Sequence, residues 1–182
     1  MPRLILLNGP PACGKSTLAR RYVEDHPLAL DLDIDRIRDL LGGWAEQPQP
    51  AGLLARSIAL AAARTHLSSG HDVVIPQLVA QPVFIDQVEQ VAHDTAAIFH
   101  EVLLLDTKEN AIRRFVERTA RGETPAHRHA AEMLERQGGV GELAALYDRL
   151  LSVVAARPAT QVVQTHDGEP DQAYQDFLAC LP

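Results

Sequence analysis

The chain has 182 residues, 46% hydrophobic, 23% charged and only 4% aromatic, and 17 basic against 24 acidic residues leave a formal net charge of −7. That length suffices for one domain with its own core and no metal or disulfide staple. The acidic balance excludes a protein that coats long nucleic acid or an anionic membrane through its bulk field, because such binding is driven by basic surface.

Arg3–Leu7 reads as a first buried strand, followed by a glycine-rich loop and a helix to about Glu24. Leu28–Leu32 reads as a second strand, and Ile34–Leu41 as a short helix stopped by Gly42-Gly43. Trp44–Pro50, with two prolines, reads as a loop, and alanine-rich Ala51–Leu67 as a helix closed by Ser68-Ser69-Gly70. Val73–Ile75 is a third strand ended by Pro76, and a helix over Val83–His93 leads to a fourth strand, Ile98–Leu105. Lys108–Ala120 is helical, Gly122–His129 is polar, and helices near Ala130–Arg136 and Glu142–Ala156 flank Gly138-Gly139. Thr160–Gln164 is a fifth strand, and Asp171–Leu178 a last helix.

Apolar runs alternating with helical patterns predict a three-layer α/β fold: a five-stranded parallel sheet with helices on both faces. Residues 1–182 read as one domain, with a helical lid at about 113–139. Cys13 and Cys180 lie at opposite ends without disulfide or ligand spacing. The opening apolar run is too short for a signal peptide, and no run approaches the ~20 residues that span a bilayer. The expected setting is the reducing cytoplasm, with no membrane partner.

Gly9-Pro-Pro-Ala12-Cys13-Gly14-Lys15-Ser16 matches G-x-x-x-x-G-K-[ST] between a strand and a helix. Such a loop turns backbone N–H groups inward around phosphate oxygens, and the helix that follows adds the positive end of its dipole. The expected nucleotide-binding residues are Gly9, Ala12, Cys13, Gly14, Lys15, Ser16 and Thr17, joined by Arg118 from later in the chain, with Lys15 on the β/γ oxygens and the Ser16 hydroxyl on Mg2+. The fold is therefore expected to be that of a P-loop NTPase. No Asn-Lys-x-Asp segment reads guanine, and the third strand ends in Pro76-Gln77 without an acid. Asp106, at the end of the fourth strand, is a single acid able to fill part of a metal-holding role. Transfer of the γ-phosphoryl group to a bound acceptor is the remaining large class.

Asp31, Asp33 and Asp35 alternate as the second strand runs out, and an extended backbone would point all three to one side. Asp35 and Arg38, three apart at a helix start, share a face. A carboxylate here suits general-base work on an attacking hydroxyl, and a nearby arginine suits holding the acceptor. Asp35 is the expected base. Asp33 is either a second choice, a Mg2+-shell residue or a helix cap, and Asp31 is structural. Arg114, Arg118 and Arg121 fall at i, i+4 and i+7 on one helix face, where guanidinium groups can meet a phosphate chain that gains charge. Arg121, beside Gly122, is the first choice for a transition-state contact, and Arg118 the next. His127 and His129 lack a third ligand and read as surface residues. Trp44 either stacks on the acceptor or packs the short helix.

The loop Gly9–Thr17, the Asp35-x-x-Arg38 pair and the Arg118…Arg121-Gly122 segment together resemble the small AAA-type "predicted kinase" family of P-loop kinases. That family is close to the kinase domain of 5′-polynucleotide kinases and, more loosely, to chloramphenicol phosphotransferase and zeta-toxin kinases. The resemblance covers about residues 3–125. It implies Asp35 as general base, Arg38 on the acceptor phosphate and Arg121 on the transferred phosphate. The chain departs from the polynucleotide kinases after the third strand. Pro76-Gln77-Leu78 stands there in place of a polar segment, which with the acidic charge points away from nucleic acid.

The expected activity is ATP- and Mg2+-dependent transfer to a hydroxyl of a small-molecule acceptor, with Lys15, Asp35, Arg38 and Arg121 catalytic. Two rivals are a 5′-OH polynucleotide kinase acting on a short nucleic-acid end and an ATPase that serves as a switch or binding module. The motif does not separate ATP from GTP, and the oligomeric state is not legible in the sequence.

Overall fold

The computed structural model describes residues 1–121 and 139–181. The strands are β1 (Arg3–Asn8), β2 (Leu30–Asp31), β3 (Val73–Pro76), β4 (Ile98–Leu105) and β5 (Gln161–Gln164). They form one parallel sheet in the order β2-β3-β1-β4-β5. Parallel neighbours need crossovers, and the helices supply them: α1 (Lys15–Asp25), α2 (Ile34–Asp39), α3 (Pro48–Ser68), α4 (Pro82–Asp94), α5 (Lys108–Arg121), α6 (Val140–Ala155) and α7 (Pro170–Ala179).

The central strand is apolar without alternation because helices cover both of its faces. Leu4 and Leu6 face a core that includes Val73, Ile75, Ala55, Ala59, Ala63 and Val88, from β3, α3 and α4. Ile5 and Leu7 face the opposite one, with Leu18 and Tyr22 of α1 and Phe177 of α7. Ala55, Ala59 and Ala63 repeat every fourth residue and are fully buried. They form a small-residue stripe along which α3 can lie close to the sheet.

The two largest boundary differences from the sequence expectation each have a local reason. β2 has two residues rather than five, because Asp33 ends it by capping α2: its side chain accepts from the Asp35 N–H at 2.9 Å. The three aspartates therefore do not continue along an extended strand. The loop expected through Pro50 ends at Gln47, since Pro48 and Pro50 lie in the first turn of α3. A missing N–H costs nothing there, as those donors have no partner within the helix. The polar stretch Gly122–His129, the helix near Ala130–Arg136 and Gly138 lie outside the described residues, and with them most of the expected lid. Among the described residues no helix is long and apolar enough to cross a membrane.

In a parallel sheet all carboxyl ends point one way, and ligands bind beyond them. The loops after β1, β2, β3 and β5 meet on that side.

Candidate nucleotide and acceptor site

The loop after β1 is shaped by two glycines. A Cβ on Gly9, at φ +151°, would stand 2.6 Å from the Leu104 carbonyl oxygen and 2.7 Å from Cys13 Sγ, so only glycine lets the loop turn this tightly against β4. Gly14, at φ +98°, is the N-cap of α1. No side chain caps that helix and no acid lies in its first turn, which leaves its N–H groups and dipole available to an anion. Lys15 Nζ donates to the Gly9 and Pro10 carbonyls at 2.9 and 2.7 Å, so the ammonium is held inside the loop.

Asn8, fully buried, fixes where this loop begins. Its Oδ1 accepts from the Gly9 N–H at 2.8 Å and the Val79 N–H at 2.9 Å, and its Nδ2 donates to the Val79 carbonyl at 2.9 Å. One side chain thus ties the phosphate loop to the segment after β3. Sequence reasoning missed it; the signal was a polar residue closing an otherwise apolar strand.

A cleft of about 590 Å³ opens beside the loop. Lys15, Ser16 and Thr17 line it from α1, and Arg114, Arg118 and Arg121 from α5. The expected arginine face is brought to the phosphate loop as one wall. Arg114 also pairs with Asp106 at 2.8 Å, the two side chains being 12% and 4% exposed. Asp106 accepts in addition from the Thr107 N–H at 2.7 Å and Asn110 Nδ2 at 3.0 Å. The acid considered for metal holding is therefore committed to Arg114 and the start of α5. Asp167, in the loop after β5, completes the wall, 3.2 Å from Arg113 Nη2 and 3.8 Å from Arg114 Nε. No motif marked it. An adjoining cavity of about 320 Å³ lies between Gly14, Thr17 and the Thr165–Pro170 segment.

On the acceptor side a third cavity, of about 310 Å³, is lined by Lys15, Ser16, Asp33, Asp35, Gln77 and Arg118, with apolar neighbours. Lys15, Ser16 and Arg118 line both this cavity and the large cleft. Arg118 Nε is buried without an acceptor, and burial pushes its pKa down. Arg121 is exposed and lines the cleft alone of the two. Burial, and then the Asp35 charge, raise the Asp33 pKa above its ordinary value. Asp31 is raised by burial and then by Asp33, and lines neither space.

Arg38 is not brought into the acceptor cavity. Its Nη1 lies 2.9 Å from Asp35 Oδ1, its Nη2 3.5 Å from Asp39, and its guanidinium carbon 4.4 Å from the centre of the Trp44 ring. Of the two expectations for Trp44, the structure shows packing against α2. The Arg38 Nε, like that of Arg118, is buried without an acceptor.

The donor set suits Mg2+ held chiefly by phosphates and water. Ser16 and Asp33 share a cavity, and among the described residues no group of three or more His, Cys, Asp or Glu side chains is arranged to hold a metal ion by itself. The Gly9 cradle, the free N-terminus of α1 and the arginine wall suit a triphosphate.

A parallel sheet with a phosphate loop after its central strand defines a P-loop nucleotide-binding protein. The model of the AAA_33 family, an AAA domain, matches residues 4–140, and the chain belongs to that family. No curated protein matches the sequence. Among solved structures the chain is similar to a candidate kinase from Chloroflexus aurantiacus J-10-fl, with a TM-score of 0.67, 16% identity and coverage of 99% of this chain and 96% of that one. It is also similar to the tunicamycin resistance protein of Deinococcus radiodurans, with a TM-score of 0.61, 16% identity and coverage of 98% and 95%. A gluconokinase from Sinorhizobium meliloti 1021 follows, with a TM-score of 0.60, 18% identity and coverage of 99% and 91%. At these identities the likeness is one of fold.

Proposed function

We propose that the protein is an ATP- and Mg2+-dependent phosphotransferase that moves the γ-phosphoryl group to a hydroxyl of a small molecule. One observation carries the reading: Lys15, Ser16 and Arg118 line both the triphosphate cleft and a separate cavity that holds Asp35. A P-loop that served only hydrolysis or switching has no need of a second cavity on the far side of its lysine. The neighbours named as a gluconokinase and a candidate kinase support the same reading.

In this mechanism the loop N–H groups and Lys15 hold the phosphates, and Arg114 with Arg121 extends positive charge along the cleft. The adjoining cavity beside Thr165–Pro170 takes the base. Asp35 orients the acceptor hydroxyl and takes its proton as the new O–P bond forms, while ADP leaves with the electron pair of the broken bond. Arg118, facing both reactants, spreads the charge that develops between them. Ser16, with Asp33 lining the same cavity, would hold Mg2+, which would neutralise phosphate charge when bound.

The test compares wild type and Lys15→Ala for label transfer from [γ-32P]ATP to a panel of alcohols. Transfer that depends on both an acceptor and Lys15 supports the reading. Acceptor-independent hydrolysis stimulated by a protein partner would replace it with a switch.

A further inference from the structure

The acceptor cavity has two kinds of wall. Lys15, Ser16, Asp33 and Asp35 form one, while Leu78, Phe115, Leu143 and Leu146 form the other. Leu78, Leu143 and Leu146 also face an adjoining crevice too tight for a water molecule, lined by Ile112, Tyr147 and Leu150 among others. The polar end of Tyr147 is used elsewhere, donating to the Asp106 carbonyl at 2.6 Å. The apolar wall is thus backed by packed, dry side chains and offers no hidden partner to a polar group, whose desolvation there would go uncompensated.

The charges point the same way. Among the described residues, the cations reaching this cavity are Lys15 and Arg118, and both also line the triphosphate cleft. Arg38, which the family resemblance assigns to an acceptor phosphate, is turned to Asp35, Asp39 and Trp44 instead. Among the described residues, an anionic acceptor would meet Asp33 and Asp35 without a cation of its own. Gln77 adds a neutral carboxamide whose Oε1 is buried without a donor.

We propose that the acceptor is an uncharged alcohol with an apolar arm, its hydroxyl at Asp35 and its arm on Leu78, Phe115, Leu143 and Leu146. This rests on the phosphotransfer reading, and the bonds made and broken are those given above. A polyol acid or a nucleic-acid end lacks the apolar arm and brings a charge that the described lining of the cavity does not match.

The experiment measures kcat/KM for label transfer from MgATP to 3-phenylpropan-1-ol, ribitol, gluconate and adenosine 3′-monophosphate, using the full chain, with binding of ATPγS recorded alongside. The expected result is at least ~10-fold preference for 3-phenylpropan-1-ol, each buried methylene being worth about fourfold. Leu146→Asn should lower that preference ~10-fold while ATPγS binding holds, and Leu78→Asn gives the same test should the first variant fail to fold. Preference for ribitol, gluconate or the nucleotide, or indifference to both substitutions, overturns the acceptor class and leaves phosphotransfer standing. Binding of ATPγS without transfer to any alcohol overturns both.

Discussion

Arg38 and Asp35 hold each other across one turn of α2, Nη1 to Oδ1 at 2.9 Å, with the guanidinium stacked over Trp44. On this geometry we propose that Arg38 positions the proposed base rather than reaching the acceptor. Arg38→Ala should lower kcat about 10- to 100-fold, the cost of a misplaced catalytic group, and leave the acceptor KM within about threefold. Arg38→Lys should restore only part of the loss, since an ammonium can pair with Asp35 but lacks the planar stack. A rise in KM at unchanged kcat would show instead that Arg38 binds an anionic group of the acceptor.

Asn8 makes three buried hydrogen bonds that join the phosphate loop to Val79. Asn8→Ala strands two N–H groups and a carbonyl in the core, at about 1–3 kcal/mol for each group left unpaired. Relaxation will recover part of this, so we expect a loss of about 3 kcal/mol in urea denaturation and weaker nucleotide binding. A loss below ~1 kcal/mol would mean that water replaces the side chain.

Asp33 gives stability a pH dependence whose sign is fixed by its surroundings. Its folded pKa lies above the ordinary 3.8, raised by burial and then by Asp35, so the folded chain holds this proton to higher pH than the unfolded chain. Stability from this group is present below 3.8 and lost as pH rises through the folded pKa. Asn caps helices as well as Asp, so Asp33→Asn should keep α2 and raise the urea midpoint at pH 7. Below pH 3.8 the gain should vanish, both side chains being neutral. A lower midpoint for the variant at pH 7 would contradict this.

Sequence alone located the phosphate loop because its chemistry is local: Gly9, Gly14, Lys15 and Ser16 act within one turn of chain. The sheet was legible for a similar reason, since Leu4–Leu7 of β1 and Val102–Leu104 of β4 are buried and read as continuous apolar runs. Trp44 and Arg38 were harder, because a stack between a helix and the loop after it leaves no periodic trace. Asn8, marked only as a polar residue closing an apolar strand, and Asp167, marked by nothing, were missed as site residues for the opposite reason. Each acts across a long stretch of chain, Asn8 on Val79 and Asp167 on Arg113, and neither sits in a motif. The length of β2 was overestimated because apolar residues around Asp31 look extended until Asp33 is known to be a cap.

The central claim is that Asp35 serves transfer and not nucleotide binding, and Asp35→Asn tests it most directly. Asparagine keeps the shape of the side chain and removes the base. ATPγS affinity should stay within about threefold of wild type, while label transfer to the best alcohol falls at least ~10²-fold, the lower range for loss of a general base. Unchanged transfer in Asp35→Asn would remove Asp35 from the chemistry and contradict the account.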